Sequence, residues 1–187
     1  MSLSISLDQC NAFSMKGDDM QPIEFQDPTE ATHWQAVNDD VMGGVSHSDF
    51  QVEDGKGVFH GELSLENGGG FASVRRAPHS PLQQALAVAG GVRLRVSGDG
   101  RSYQLRLKSH DLDNSSAYRA RFTPKVDAWE TIDLPWQAFE AVCRGRLLSD
   151  APALDPARIQ QVGFLIADRR AGAFRLEVAC IEALNSH

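Results

Sequence analysis

The 187-residue sequence predicts an all-β fold, either a sandwich of antiparallel sheets or a closed barrel. Three observations carry that expectation. Apolar and polar residues alternate over several short stretches, the period of a strand with one buried face. Clusters of Gly, Pro, Asn and Asp separate those stretches at short intervals. Segments with helical periodicity are few and brief, which leaves sheets to build the core.

The elements follow in chain order. Residues 1–22 read as a polar N-terminal arm, punctuated by Gly17, Asp18, Asp19 and Pro22, and residues 23–187 as a single sandwich domain. Over 57–66, Phe59, Gly61, Leu63 and Leu65 share one face, and His60, Glu62, Ser64 and Glu66 the other. Pro81–Leu86 suits a short helix. Val92, Leu94 and Val96 alternate with Arg93 and Arg95. Tyr103, Leu105 and Leu107 alternate with Gln104, Arg106 and Lys108, and Tyr118, Ala120 and Phe122 with Arg119 and Arg121. Pro135–Val142 is expected to form two helical turns, with proline at a tolerated first-turn position. Asp155–Ile159 suits another short helix. Val162–Ala167 is a continuous apolar run, expected to be a strand covered on both sides. Phe174, Leu176, Val178 and Cys180 alternate with Arg175, Glu177 and Ala179. Turns are expected at Gly98–Gly100, Asp111–Asn114, Thr123-Pro124 and Ala171-Gly172.

Hydrophobic content of 42% and charged content of 23% are those of an ordinary globular protein. A net charge of −7 argues against general affinity for nucleic acid or anionic membrane. Cys10, Cys143 and Cys180 are odd in number and widely spaced, which fits reduced, structural thiols better than a disulfide framework. The N-terminus lacks a basic region and a long apolar run, and no stretch approaches the ~18 apolar residues of a membrane span. A cytoplasmic protein without a transmembrane segment is the expectation.

Two segments carry unusual chemistry. Trp34-Gln-Ala-Val-Asn-Asp-Asp-Val-Met-Gly-Gly-Val-Ser46 packs acids, adjacent glycines and a hydroxyl into one turn region. Asp39 and Asp40 can accept hydrogen bonds from nearby amides, Gly43 and Gly44 permit close backbone approach beside Met42, and Ser46 can brace the turn. The stretch reads as a self-bonded loop, as a ligand or partner contact, or, with its paired carboxylates, as part of a hard-cation site. It lacks the alternating acids of an EF-hand loop. Glu66-Asn-Gly-Gly-Gly-Phe-Ala-Ser-Val-Arg75 resembles a phosphate loop but lacks the following Lys and Ser/Thr, so a hairpin or bulge at Asn67-Gly68 is expected. The six histidines show no zinc-ligand spacing, and Ser46-His47-Ser48 beside Asp49 has no nucleophile elbow around it. No cofactor, no metal and no catalytic residues are expected. Trp34, Trp129 and Trp136 suit core anchors or sugar-stacking platforms.

Arg93, Arg95, Arg106, Lys108, Arg119 and Arg121 all fall on the non-core side of three consecutive strands. Adjacent strands would align them as a ladder of positive charge, paired with Glu130, Asp133 or Glu177, or open to an acidic protein, a sugar or another anion. Strands in opposite sheets would split the ladder.

The first segment, then Gly57-Val-Phe-His-Gly-Glu-Leu-Ser64, then Asn67-Gly-Gly-Gly-Phe-Ala-Ser-Val-Arg75, resemble the complex I intermediate-associated protein family. Trp129–Phe139 and Ile159–Glu177 are similar to the rest of that domain, so the resemblance covers roughly residues 23–184. It implies a jelly-roll β-sandwich of the galactose-binding-domain-like type with a few short helices. It also implies a non-enzymatic, chaperone-like assembly factor for NADH:ubiquinone oxidoreductase, here a bacterial stand-alone member. The expected partner is a protein, such as a respiratory-complex subunit. The alternative is a carbohydrate-binding module with a sugar on the sandwich face. The binding residues expected on this reading are Asp39, Asp40, Met42, Gly43, Gly44 and Ser46 in the first segment. To these are added Asn67 and Arg75 in the second, and Arg95, Arg106 and Arg119 from the ladder.

Overall fold

The computed structural model describes residues 22–39 and 44–185, so the expected arm lies outside the described residues except for Pro22. Thirteen strands are described. They are β1 (Ile23–Glu24), β2 (Trp34–Asn38), β3 (His47–Glu53), β4 (Lys56–Leu63), β5 (Ala72–Arg76), β6 (Gly91–Ser97) and β7 (Tyr103–Ser109). The chain continues with β8 (Ser116–Phe122), β9 (Glu130–Pro135), β10 (Glu140–Cys143), β11 (Arg146–Leu147), β12 (Ile159–Ile166) and β13 (Gly172–Leu184). One α-helix, α1 (Ser80–Ala87), lies between β5 and β6.

The strands form two separate sheets. The six-stranded sheet runs β3-β4-β13-β6-β9, with β1 also on β13. The seven-stranded sheet runs β11-β10-β8-β7-β12-β5-β2. The choice between sandwich and closed barrel is therefore resolved as a sandwich. The hairpin β3–β4 turns on Asp54 and Gly55, with φ of 50° and 78°. The hairpin β10–β11 turns on Arg144 and Gly145, with φ of 51° and 79°. Positive φ at both central residues gives the backbone twist that two-residue hairpins need.

The core is the space between the sheets, and aromatic rings bridge it. Trp34 of the seven-stranded sheet stacks on Phe50 of the six-stranded sheet, with centroids 4.2 Å apart. Tyr103 meets Phe59 across the same gap at 6.3 Å. The expected inward residues of 57–63, 92–96, 103–107, 118–122 and 174–180 are buried, apart from half-buried Gly61. Such burial is worth roughly 1.5–3 kcal/mol for each large apolar side chain.

Three local expectations are corrected. Leu65 lies past the end of β4 and is exposed. Residues 135–142 do not form two helical turns: only Trp136–Ala138 makes a short 3-10 turn, and Glu140–Cys143 becomes β10, paired with β8. Ladder hydrogen bonds to an existing strand outweigh a weak helical preference. The run 162–167 is not covered on both sides, because Val162, Phe164 and Ile166 face the core while Gly163 and Leu165 lie on the outer face. Among the cysteines, Cys143 is a free thiol, whereas Cys180 is disulfide-bonded, so the expectation that all are reduced does not hold. Among the described residues, no helix is long and apolar enough to cross a membrane.

Candidate functional site

The outer face of the seven-stranded sheet forms an open groove of about 670 Å³. Its floor is set by strand register. Arg75 of β5 lies opposite Gly163 of β12, Gly163 opposite Arg106 of β7, and Arg106 opposite Arg119 of β8. One row along, Ser73, Leu165, Gln104 and Arg121 lie opposite one another. Lys108 continues the face on β7, and Arg144 and Arg169 come from the loops that rim it. Among the described residues, the lining carries seven Arg or Lys and one carboxylate, Asp39. The whole chain has 18 Lys and Arg and a net charge of −7, so the groove concentrates a charge opposite to that of the whole.

These cations are unequally satisfied. Arg119, 7% exposed, donates to Glu140 at 3.3 Å. Lys108 donates to the main-chain carbonyls of Asn114 and Ser116. Arg106 donates to the neutral Oε1 of Gln104 at 3.1 Å. Burial, then the neighbouring Arg119 and Arg75, push its pKa down to about 10. Each of those influences disfavours the charged form, and an incoming anion would offset them by pairing with the charge. No carboxylate among the described residues forms an ion pair with Arg75, Arg106 or Arg121.

The two unusual segments meet at one end of the groove, where Asp39 is buried with 1% exposure. Its carboxylate accepts from Ser46 N at 3.0 Å, Ser46 Oγ at 2.8 Å, Gly70 N at 2.7 Å and Phe71 N at 3.3 Å. Ser46 Oγ in turn accepts from Ser64 N at 2.9 Å. A Cβ built on Gly44 would sit 2.3 Å from Asp39 Cγ, and one on Gly69 would sit 2.5 Å from Asp39 Oδ2. The glycines are there because the chain wraps the carboxylate too closely for a side chain. Burial raises the Asp39 pKa, but the hydrogen bonds from Gly70, Ser46 and Phe71 outweigh it and hold the carboxyl below its usual range. Asp39, Gly44 and Ser46 therefore form a latch that fixes the Gly68–Phe71 wall of the groove. Asn67 is exposed in the left-handed region, at φ 55°, and shapes the turn without lining the groove. Asp40, Met42 and Gly43 lie outside the described residues.

The charge ladder divides between the sheets. Arg93 and Arg95 sit on β6 of the six-stranded sheet, whereas Arg106, Lys108, Arg119 and Arg121 sit on β7 and β8. Arg95 is thus away from the groove, and donates to Thr131 Oγ1 at 3.3 Å. Of the three acids expected to pair the ladder, Asp133 does so, meeting Arg93 at 2.7 Å. Glu130 pairs with Lys125, and Glu177 with Lys56 and Arg175. The Arg93 and Asp133 side chains are 41% and 45% exposed, and such pairs contribute about 0–1 kcal/mol. Arg93→Ala is expected to leave the denaturant midpoint of unfolding almost unchanged; a large drop would show an unrecognised structural role.

Ser73 and Gly163 belong to the groove and were missed in the sequence, whereas Gln104 was expected among the ladder and does line the groove. Gly163 had a signal, since an isolated glycine inside a strand marks a close approach or an open floor. A Cβ there would lie 2.4 Å from the Val74 carbonyl oxygen. The tryptophans serve the core: Trp34 is buried in it, and Trp136 packs against it and donates to Ala89 O at 2.7 Å. Trp129 is half-buried and does not line the groove. Of the aromatic residues along the groove, Phe71 is half-buried, whereas Phe164 is fully buried with its ring against Trp34 and Phe122 in the core. No group of three or more His, Cys, Asp or Glu residues converges as a metal site among the described residues.

Comparison with known proteins adds relatives to this geometry. Residues 23–178 match the family model described as complex I intermediate-associated protein 30. The mitochondrial complex I intermediate-associated protein 30 of Neurospora crassa is 25% identical, over 67% of this chain and 49% of its own length. That of Mus musculus is 22% identical, over 83% of this chain and 53% of its own length. The chain thus spans about half the length of these two curated relatives. Among solved structures, the family 11 carbohydrate-binding module of a Clostridium thermocellum cellulosomal cellulase aligns with a TM-score of 0.61 at 13% identity, over 93% of this chain and 99% of its own. A family 11 module in complex with a β-1,3-1,4-mixed-linked tetrasaccharide aligns with a TM-score of 0.60 at 12% identity, over 89% of this chain and 96% of its own. At such identities the likeness is one of fold, a jelly-roll β-sandwich.

Proposed function

Because the chain belongs to the complex I intermediate-associated protein 30 family, we propose that it is a non-enzymatic, chaperone-like factor that binds a protein partner during assembly of NADH:ubiquinone oxidoreductase. The working surface in this reading is the groove on the seven-stranded sheet. The observation that carries it is the row of half-buried Arg75 and Arg106 and buried Arg119, in which two of three guanidiniums have no carboxylate partner among the described residues. A chain that keeps like charges together at a stability cost gains when a partner brings the opposite charge. The carbohydrate alternative calls for an exposed ring as a stacking platform, and the groove offers only half-buried Phe71 among its described residues, at the end held by Asp39.

The test replaces the gene in its native cell with wild type, with a groove variant carrying Arg106→Glu and Arg121→Glu, or with an Arg93→Glu control on the other sheet. Assembled complex and its subassemblies are resolved on native gels, and folding of each purified variant is checked by its melting curve. Wild type and the control are expected to support full assembly, and the folded groove variant to accumulate subassemblies. Normal assembly without the gene, or with the groove variant, would overturn the reading. A purified protein that binds the mixed-linked tetrasaccharide in this groove, with assembly unaffected, would replace it with the carbohydrate alternative.

A further inference from the structure

We propose that the groove holds an extended acidic segment of the partner protein, laid across the strands, with Arg75 and Arg106 as anchors on either side of Gly163. The inference rests on the assembly-factor reading and names the chemistry of the partner.

The register sets the spacing of the charges. Arg75 and Arg106 are two strands apart with Gly163 between them, and Arg119 is one strand further. At about 4.8 Å per strand, Arg75 and Arg106 stand about 10 Å apart and the row spans about 14 Å. A single phosphate needs donors that converge on one point. This row is strung out instead, and the gap at its centre is a residue without a side chain. An extended peptide in the polyproline II conformation advances about 3.1 Å per residue with three residues per turn, so acidic residues three apart share one side, stand about 9 Å apart, and reach Arg75 and Arg106 together. The carboxylate that meets Arg106 also comes within reach of Arg119, one strand on.

The floor suits a main chain as well as its charges. Gln104 and Gln161 offer amides beside the row, and half-buried Leu165 offers an apolar surface. Arg119 is already engaged by Glu140, and Lys108 by two main-chain carbonyls. The vacant capacity of the floor is therefore concentrated at Arg75 and Arg106, with Arg121 one row away.

Fluorescence anisotropy with a labelled peptide carrying glutamates three residues apart tests the proposal on the whole protein. A glutamine twin, tripolyphosphate and the mixed-linked tetrasaccharide are the competing probes. The glutamate peptide is expected to bind at least about 10-fold tighter than its twin, and to weaken as salt rises. Arg75→Gln and Arg106→Gln should each cost about 10-fold and the pair about 100-fold, as charge-assisted hydrogen bonds do. Arg95→Gln on the other sheet should cost nothing. Equal binding of the two peptides by the wild-type protein overturns the proposal without any variant being needed. Tripolyphosphate or the tetrasaccharide binding tighter than the glutamate peptide also overturns it. If the peptide fails while groove charge reversal still blocks assembly in cells, only the acidic-segment inference falls. If assembly survives that reversal, the assembly-factor reading falls with it.

Discussion

Asp39→Ala is expected to destabilise the fold by about 3–5 kcal/mol, measured by chemical denaturation at neutral pH. The carboxylate is buried and takes hydrogen bonds from Ser46 N, Ser46 Oγ, Gly70 N and Phe71 N. Its removal strands several donors at once, and each buried unsatisfied group costs about 1–3 kcal/mol. The gap beside Gly44 and Gly69 adds lost packing. Asp39→Asn separates charge from shape, because it keeps the volume but turns an NH2 group toward amides that also donate. The folded-state pKa of Asp39 is lowered, so its contribution is fully present above the unfolded value near 4 and is lost as pH falls through the folded value. The asparagine variant should therefore lose less stability than wild type on acidification below about pH 4. Equal acid sensitivity, or an alanine variant as stable as wild type, would show that the latch is not held by that charge. The same variant should also disturb the groove, since Gly70 and Phe71 line its wall.

Arg101→Met is the second large effect, again about 3–5 kcal/mol, because it leaves a buried carboxylate without its cation. Arg101 and Asp168 side chains are 7% and 6% exposed and form a two-pronged pair at 2.7 and 2.8 Å. Arg101 also donates to the carbonyls of Arg170, Gly172 and Ala173, tying the loop before β7 to the start of β13 and the loop that leads into it. Asp99 completes the tie, accepting from Tyr103 Oη at 2.9 Å and from Arg175 N at 2.8 Å. Burial raises the Asp168 pKa, but the Arg101 hydrogen bonds, the Arg170 amide and nearby positive charge bring it below the usual range. Without Arg101 the balance reverses, so the variant should gain stability as pH falls toward the carboxylate range while wild type loses it. Arg101→Met with Asp168→Leu should recover much of the loss, since apolar replacement of a buried pair is often nearly neutral. A single variant that melts with wild type at neutral pH would show that the pair carries no net stability.

Most of the strand assignments were legible because alternation reports which face of a strand is buried, whatever its neighbours. Phe59, Leu94, Tyr103, Tyr118 and Leu176 are all inside as their spacing demands. The helix expected at 135–142 failed because its last residues gain a ladder with β8, a partner that sequence distance hides. The strand β2 was hidden within the unusual first segment, and the Asp54-Gly55 hairpin was an available signal for β3 that went unread.

The candidate site was legible only in its parts. Asp39, Ser46 and the glycine cluster stood out by composition, but residue types alone left a self-bonded loop, a partner contact and a cation site all open. The hydrogen bonds to Asp39 make the described part a self-bonded latch. Arg95, Arg106 and Arg119 looked equivalent in the alternation, yet Arg95 belongs to the other sheet.

Alternation and turn chemistry were enough to specify an all-β fold, and the two segments its family, because side-chain period and backbone conformation are local properties of the chain. Which arginines share a face, and that Gly163 opens a floor between two of them, depended on strand order and register. Those are set by long-range hydrogen bonding and packing between segments far apart in sequence, where no local pattern can reach.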